Sequence, residues 1–175
     1  MRRSLPAVIL DAAADTFAHV GFSAATMDEI ALRAHTTKSM LYYHFRSKSE
    51  LYRRLLEAAL GRLTADMEEA GDALDAATAF LDHVAREPHA GFLLRAFFAT
   101  DADLARDEMA SCLGRVLAPI ARRLEGEGAQ ERAFAVLSLM VMPLLRGLLL
   151  DEQVDAASIR RQVARYLAGA SGDAT

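Results

Sequence analysis

The residues best equipped for chemistry lie close together in the run TTKSMLYYHFRSK, which extends from Thr36 to Lys48. Both lysines of the chain, Lys38 and Lys48, belong to this run, beside several hydroxyl-bearing side chains. Lysine ammonium groups and Ser, Thr and Tyr hydroxyls donate hydrogen bonds to phosphate oxygens and to the edges of bases. The composition of this run is therefore typical of a surface that binds nucleic acid.

Patterns typical of an enzyme or a metal site are missing from the sequence. It contains no glycine-rich phosphate loop and no nucleophile motif. The five histidines are scattered over His19, His35, His44, His83 and His89. The single cysteine, Cys112, offers neither a disulfide nor a thiol cluster, which favours a reducing compartment. We expect a cytoplasmic protein that is not an enzyme and needs no metal or cofactor.

Charge is distributed unevenly along the 175 residues, although the net charge is only −4. Residues 1–54 carry eight Arg or Lys and five Asp or Glu, whereas residues 55–175 carry twelve and nineteen. A mildly basic amino-terminal head thus precedes an acidic body. Since only the binding surface must meet phosphates, the acidic total does not exclude a nucleic acid partner.

The elements that position these residues are predicted to be helices, because apolar residues recur at helical spacing and strand-like alternation is missing. The first helix is predicted from Leu5 to Val20, with Gly21 ending it. A capping box at Thr26 and Glu29 predicts a second helix that ends near Ala34. A turn then leads to a short third helix, Lys38 to His44, with Thr37 as its cap. These three helices have the arrangement of a helix-turn-helix.

The body is predicted to be helical throughout, which makes the fold class all-α. A second capping box, Ser47 and Glu50, opens a long helix from Lys48 to about Glu69. Further helices are predicted over residues 72–86, 91–100, 101–125, 130–150 and 156–168. A break is expected at Glu87, Pro88 and His89, and a turn at Gly126 to Gly128. Pro119 and Pro143 lie inside predicted helices, where we expect kinks.

The segment from Ala133 to Leu150 is almost wholly apolar and close in length to a membrane span. It contains Pro143, Arg146 and Gly147, and acidic residues follow it immediately. A helix that is apolar on all sides is also expected in the centre of a helical protein or at a dimer interface. We interpret the segment in that second way and expect no membrane association.

The run from Leu10 to Leu51, LDAAADTFAHVGFSAATMDEIALRA followed after one residue by TTKSMLYYHFRSKSEL, resembles the DNA-binding domain of the tetracycline-repressor (TetR) family. The resemblance implies a helix-turn-helix domain over residues 1–50 and a helical effector-binding and dimerisation domain over residues 51–175. It also implies a DNA-binding regulator, with repression as the family-level expectation. At His35 the family usually has glycine, so either His35 is left-handed or the turn differs.

The resemblance assigns DNA contacts to particular residues. Lys38, Ser39 and Tyr42 are expected to reach base edges in the major groove. Contacts that position the DNA backbone are expected from Thr26, Thr37, Tyr43, His44 and Lys48. Leu41 and Phe45 should point inward. Met40 is expected to contact either a thymine methyl group or neighbouring protein.

The resemblance also implies two further partners, a small effector and a second copy of the chain. The helices that enclose the effector in this family carry Phe80, His83, Phe92, Arg95, Phe98, Met109 and Cys112 here. Their mostly apolar character favours a hydrophobic or aromatic compound, although such a stripe is also typical of ordinary core. Pairing of the last two long helices across a twofold axis is expected to involve Leu137, Val141, Leu145 and Leu149. Such a homodimer should bind a palindromic operator in double-stranded DNA.

One alternative is a helical protein-interaction module that keeps the helix-turn-helix only as a scaffold. Salt-dependent binding to a specific operator distinguishes the two hypotheses, since the interaction module does not require it.

Overall fold

Helices account for the regular structure of the part of the chain that the computed structural model describes, residues 4–86, 106–150 and 152–170. The expected all-α fold class is confirmed. In chain order the helices are α1 (Leu5–Ala24), α2 (Met27–Arg33), α3 (Lys38–His44), α4 (Lys48–Glu68), α5 (Ala73–Arg86), α6 (Arg106–Ala121), α7 (Ala129–Leu150) and α8 (Ala156–Ala170).

Side-chain caps explain where several helices begin. The hydroxyl of Thr26 accepts a hydrogen bond from the Glu29 amide at 3.2 Å, and that of Ser47 accepts one from the Glu50 amide at 3.1 Å. Asp72 caps α5 in the same way, through the amide of Asp75 at 2.7 Å. Each cap satisfies an amide that the first helical turn leaves without a partner. The helix starts predicted from Thr26 and Ser47 are confirmed.

Gly21 interrupts α1 near its end, with a φ of 80° and a ψ of 171°. A residue with a Cβ adopts such a backbone conformation only with strain, whereas glycine does so readily. The regular part of the helix therefore ends at Val20, as predicted, and a short further turn leads toward α2. Glycines also have positive φ at the predicted turn between α6 and α7, 81° at Gly126 and 73° at Gly128.

The chain divides into two compact units, and the division falls between Leu60 and Gly61, inside α4. The first unit contains the described residues up to Leu60. In it α1 packs on α2 and α2 on α3, around a core that includes Ile9, Phe17, Ile30, Leu41 and Leu51. We call this unit the head. This part of the unit ends at Leu60, and the domain boundary predicted at residue 50 stays a prediction.

The second unit, which we call the body, contains residues 61–86 and the described residues from Ala110 onward. Here α5, α7 and α8 pack on one another. Side chains buried in the body include Leu63, Met67, Phe80, Val116, Ile120, Val136, Met140 and Val163. Pro119 and Pro143 lie within α6 and α7, as predicted.

Ion pairs and hydrogen bonds join helices within the body. Arg160 of α8 pairs with Asp82 of α5, and Arg122, just after α6, pairs with Glu68 of α4. The guanidinium of Arg123 donates to the carbonyl oxygens of Ala70, Glu68 and Pro119 at 2.6–3.0 Å. Arg123 thereby closes the carboxyl end of α4 against the end of α6.

Three predictions concern residues outside the described part of the chain: the helix over 91–100, the first residues of the helix over 101–125, and the break at residues 87–89. They stay predictions.

Among the described helices, α1 is the one long and apolar enough to cross a membrane by length and composition. Its apolar residues Ile9, Ala13 and Phe17 are buried in the core of the head. This packing accounts for its apolar composition.

Candidate nucleic-acid interface

The turn between α2 and α3 is closed by a pair of backbone hydrogen bonds. The amide of His35 donates to the carbonyl of Leu32 at 3.1 Å, and the amide of Thr36 donates to that of Ala31 at 2.9 Å. This pairing is the Schellman motif, which requires a left-handed residue after the helix. His35 takes that position with a φ of 49°. Of the two outcomes considered for His35, the left-handed conformation is the one observed.

Helix α3 presents one face to solvent and the other to the head. Lys38, Ser39 and Tyr42 are exposed, which is the orientation that base contacts require. Leu41 and Phe45 are buried and hold α3 in place, as expected. The exposed face therefore contains a cation, hydroxyl groups and an aromatic ring on a short, rigidly held helix.

The amino-terminal ends of α2 and α3 have the same cap. The hydroxyl of Thr37 accepts the amide of Met40 at 3.2 Å, as that of Thr26 accepts the amide of Glu29. Both threonines are exposed, and each hydroxyl can still donate its own proton. The positive end of a helix dipole adds to the attraction for an anion at such a point. Both threonines are thus placed as phosphate contacts would require.

Lys38 has a partner that the sequence analysis did not identify. Its ammonium lies 2.6 Å from Oδ2 of Asp28, which is in the first turn of α2. The hydrogen bond and charge of Asp28 raise the pKa of Lys38 above its ordinary value of 10.5. Lys38 therefore remains a cation in the neutral range, and a carboxylate lies within the candidate interface.

Lys48 makes contacts within the protein that its sequence did not indicate. Its ammonium donates hydrogen bonds to the carbonyl oxygens of Phe22, Ser23 and Ala25, at 2.7, 3.2 and 3.0 Å. It also lies 4.4 Å from the centre of the Phe22 ring, a cation–π contact. An ammonium has three donors, and here all three are used within the protein. These hydrogen bonds tie α4 to the last turn of α1 and to Ala25. The phosphate contact expected of Lys48 stays a prediction.

An aromatic cluster supports the same region from inside the head. The rings of Phe17, Phe22 and Tyr52 have their centres 5.0–5.9 Å apart, and Tyr52 stands edge-on to both phenylalanines. Such edge-to-face pairs are favourable beyond the area they bury. The cluster and Lys48 together fix the start of α4 against α1.

Tyr43 and His44 complete the candidate contacts at the end of α3. Tyr43 is largely exposed, His44 is half-buried, and their rings meet edge-on with centres 5.2 Å apart. This position suits contacts to the DNA backbone, which stay predictions.

The candidate effector residues fall partly outside the described chain. Phe80, His83 and Cys112 are buried in the body. Phe92, Arg95 and Phe98 lie outside the described residues, as does the side chain of Met109. The role of this set in effector binding stays a prediction.

The candidate dimer residues divide in a similar way. Leu137 and Val141 are buried within their own chain, so neither side chain is available to a partner in this structure. Leu145 is half-buried, and the side chain of Leu149 lies outside the described residues. The solvent-facing side of α7 presents Phe134 and Met142 instead, which are 52% and 53% exposed. The dimer contacts expected of this helix stay predictions.

Sequence reasoning missed two kinds of residue at the interface. Asp28 lies ten residues from Lys38, across a turn, and only the packing of α2 on α3 brings them together. The acceptors of Lys48 are main-chain carbonyls, which have no sequence signature. An acidic residue in the first turn of the helix before α3 was the one available signal for the first pair.

Comparison with known proteins places residues 9–55 in a match to the model of the family described as bacterial regulatory proteins, tetR family. The HTH-type transcriptional activator FasR of Mycolicibacterium smegmatis is 44% identical over 62 residues, 35% of this chain and 28% of that protein. IcaR of Staphylococcus epidermidis, a negative regulator of the biofilm operon icaADBC, is 37% identical over 49 residues, 28% of this chain and 26% of its own length. The chain thus covers about a quarter of the length of these curated relatives.

Similarity to a solved structure extends much further. A TetR-like transcriptional regulator from Rhodococcus sp. RHA1 superimposes with a TM-score of 0.79, at 25% sequence identity, over 99% of both chains. The likeness therefore includes the body as well as the head.

Proposed function

This chain belongs to the TetR family of bacterial regulatory proteins, and from that premise we propose that it is a sequence-specific DNA-binding transcriptional regulator. It acts in the cytoplasm on an operator in double-stranded DNA. The relatives reported above are all described as regulators, in keeping with a regulatory rather than an enzymatic role.

The observation that carries the proposal is the exposed face of α3. Lys38, Ser39 and Tyr42 project from a helix whose buried side, Leu41 and Phe45, is anchored in the head. A recognition helix must present base-reading donors while its other side holds it rigidly. The capped ends of α2 and α3 add points of attachment for phosphates on either side of that helix.

The active form in this proposal is a homodimer. Phe134 and Met142 are exposed apolar side chains of α7, which a twofold partner would cover. Two heads related by a twofold axis match a palindromic operator, with recognition helices about 34 to 36 Å apart or further.

In this proposal an effector that binds to the body controls DNA binding by the head. Helix α4 begins at Lys48 in the head and ends at Glu68 in the body, a length of about 30 Å at the helical rise. A small hydrophobic or aromatic molecule bound beside Phe80 and Cys112 would tilt α4 and change the spacing of the heads. The effector must bind the released conformation more tightly than the DNA-bound one, and a coupling of about 1–3 kcal/mol is typical.

We propose that the protein represses transcription and that the effector releases it from the operator. IcaR is a negative regulator and FasR an activator, so both signs occur among the relatives. A reporter gene placed behind the operator distinguishes repression from activation. Its expression should fall when the protein is present.

The proposal is tested by selecting bound duplexes from a random pool. We expect a palindromic sequence whose affinity falls as salt rises and exceeds that of scrambled DNA by about a thousandfold or more. Substitution of Lys38 by alanine should relax discrimination at one position in each half-site. If no sequence is enriched and binding does not respond to salt, the chain is instead a protein-interaction module with a helix-turn-helix scaffold.

A further inference from the structure

His83 is a buried polar residue of the body, and one nitrogen of its ring has no hydrogen-bond partner in the described part of the chain. It lies on α5 and is 4% exposed. Its Nδ1 is 2.9 Å from Oδ2 of Asp66 on α4. The guanidinium of Arg86 also lies 3.5 Å from that carboxylate.

The two nitrogens of the ring have different environments. An ionised carboxylate only accepts hydrogen bonds, so the Nδ1 that faces Asp66 carries the proton. In the neutral ring Nε2 is then an acceptor. That atom is buried and has no hydrogen-bond partner in the described part of the chain. A buried acceptor without a partner is unfavourable, and most buried polar atoms in proteins are paired.

The hydrogen bond to Asp66 satisfies only Nδ1, so the cost at Nε2 remains. Asp66 is 43% exposed and has Arg86 as a second partner, so its charge does not depend on His83. The neighbouring positions on the buried side of α5, Phe80 and Val84, are apolar. An apolar residue at position 83 would pack there without leaving an acceptor unpaired. The histidine is therefore better explained by a partner that binds to it.

We propose that Nε2 of His83 accepts a hydrogen bond from the effector, which is a hydrophobic compound that bears a hydroxyl group. This inference rests on the proposed function and adds the polar chemistry of the ligand to it. A donor at Nε2 also polarises the ring and strengthens the hydrogen bond from Nδ1 to Asp66. Since Asp66 lies on α4, the hydroxyl group acts directly on the helix that continues into the head.

The test compares two alcohols with their parent hydrocarbons, 2-naphthol with naphthalene and 1-dodecanol with dodecane. The full-length protein should bind at least one alcohol about tenfold more tightly than its hydrocarbon, as expected for one buried hydrogen bond. In His83→Asn the amide can still donate to Asp66 from near the Nδ1 position, but the acceptor at the Nε2 position is lost. The preference for the alcohol should then disappear, while the affinity for the hydrocarbon is retained.

Two results would overturn the inference: equal affinity of the wild-type protein for alcohol and hydrocarbon in both pairs, or an undiminished preference in His83→Asn. His83→Leu serves as a second variant if the asparagine impairs folding, and its melting temperature should equal or exceed that of the wild type. A markedly lower melting temperature for His83→Leu means that the histidine is a structural residue and also overturns the inference.

Nitrogen-15 NMR of the histidine ring gives an independent measurement. Nδ1 should be protonated and Nε2 unprotonated in the free protein, and the Nε2 signal should shift when the alcohol binds. A proton on Nε2 of the free protein would make the ring a donor, and the proposed ligand class would be wrong.

Failure of this inference can be separated from failure of the proposed function. Gel shifts with the selected duplex should give the same affinity for His83→Asn and wild type without added compound. If both proteins bind the duplex but show no preference for alcohols, this inference alone fails. If the wild type binds no duplex selectively, the proposed function fails and the inference fails with it.

Discussion

At the scale of single residues, the two lysines of the head differ in what they bind. Lys48 donates to three carbonyl oxygens of its own chain, whereas Lys38 is paired with an exposed carboxylate in the candidate interface. The same type of side chain therefore makes structural hydrogen bonds at one position and, in the proposed function, reads DNA at the other.

We expect Lys48→Met to destabilise the head, because it retains the aliphatic stem but leaves three carbonyls without their charged donor. The loss should be about 2–3 kcal/mol in the free energy of unfolding, measured by urea denaturation. Lys38→Met is the matched control, and it should unfold at the same urea concentration while weakening DNA binding. If Lys48→Met instead has normal stability and its DNA affinity depends less steeply on salt, Lys48 contacts a phosphate.

Asp28 is expected to restrain binding to DNA of arbitrary sequence, because its carboxylate neutralises Lys38 and repels phosphates. Asp28→Asn should increase affinity for random duplex DNA and steepen the plot of log K against log salt by about 0.9 per head. The measurement is a salt titration by fluorescence anisotropy. An unchanged slope, or one equally altered in the charge-preserving variant Asp28→Glu, would argue against this role.

The pKa of Lys38 sets the pH dependence of this pair. Because Asp28 raises that pKa above 10.5, the ion pair persists below the ordinary lysine pKa and is lost only as the pH rises through the raised value. The effect of Asp28→Asn should therefore be the same at pH 6 and pH 8.

At the scale of secondary-structure elements, α4 is held at both ends by cations that bind carbonyl oxygens. Lys48 holds its beginning, and Arg123 binds the carbonyls of Glu68 and Ala70 at its end. Arg123 is 16% exposed, while its neighbour Arg122 is 57% exposed and pairs with the side chain of Glu68. Arg123 thus acts as a half-buried clamp on these carbonyls, whereas Arg122 forms a surface ion pair.

Arg123→Met should lower the free energy of unfolding by about 2–3 kcal/mol, since several carbonyls lose a charged donor together. Arg122→Met should cost no more than about 1 kcal/mol, as is usual for an exposed ion pair. Hydrogen exchange of the last turn of α4 provides a local measurement and should accelerate only in Arg123→Met. Equal effects of the two substitutions would show that Arg123 does not act as a clamp.

The elements were predicted well from the sequence because their signals are local. Thr26 with Glu29, Thr37 before α3, and Ser47 with Glu50 each mark a helix start within four residues. The partners of Lys48 lie 23 to 26 residues away and are main-chain atoms, so no local pattern could identify them. The sequence also could not show which side of α7 packs inside the body, because the helix is apolar on all sides. The sequence therefore did not show that Leu137 and Val141 are buried within their own chain.

At the scale of the whole molecule, the proposed homodimer depends on the exposed side of α7. Phe134 and Met142 are exposed there and lie eight residues apart, about two helical turns along the axis. A second copy of the chain related by a twofold axis would bury these apolar side chains.

Met142→Asp should separate the dimer without unfolding the chain, because it places an unpaired charge in the proposed interface but not in the core of the body. Light scattering at micromolar concentration should report a dimer for the wild type and a monomer for the variant. Ala65→Asp, at an exposed position of α4, is the control and should remain a dimer. Leu137→Asp should unfold the body instead, since that side chain is buried in its own chain. A wild-type monomer under these conditions would rule out the proposed assembly.

Because the two lysines have different surroundings, an acylating reagent should modify one of them selectively. Lys48 presents no free donor, whereas Lys38 is exposed and held by one carboxylate. An amine-reactive dye should therefore attach to Lys38 before Lys48, provided that the solution is alkaline enough to overcome the raised pKa of Lys38. The label would then report directly on the surface of α3, and DNA that covers this surface should protect it from the reagent.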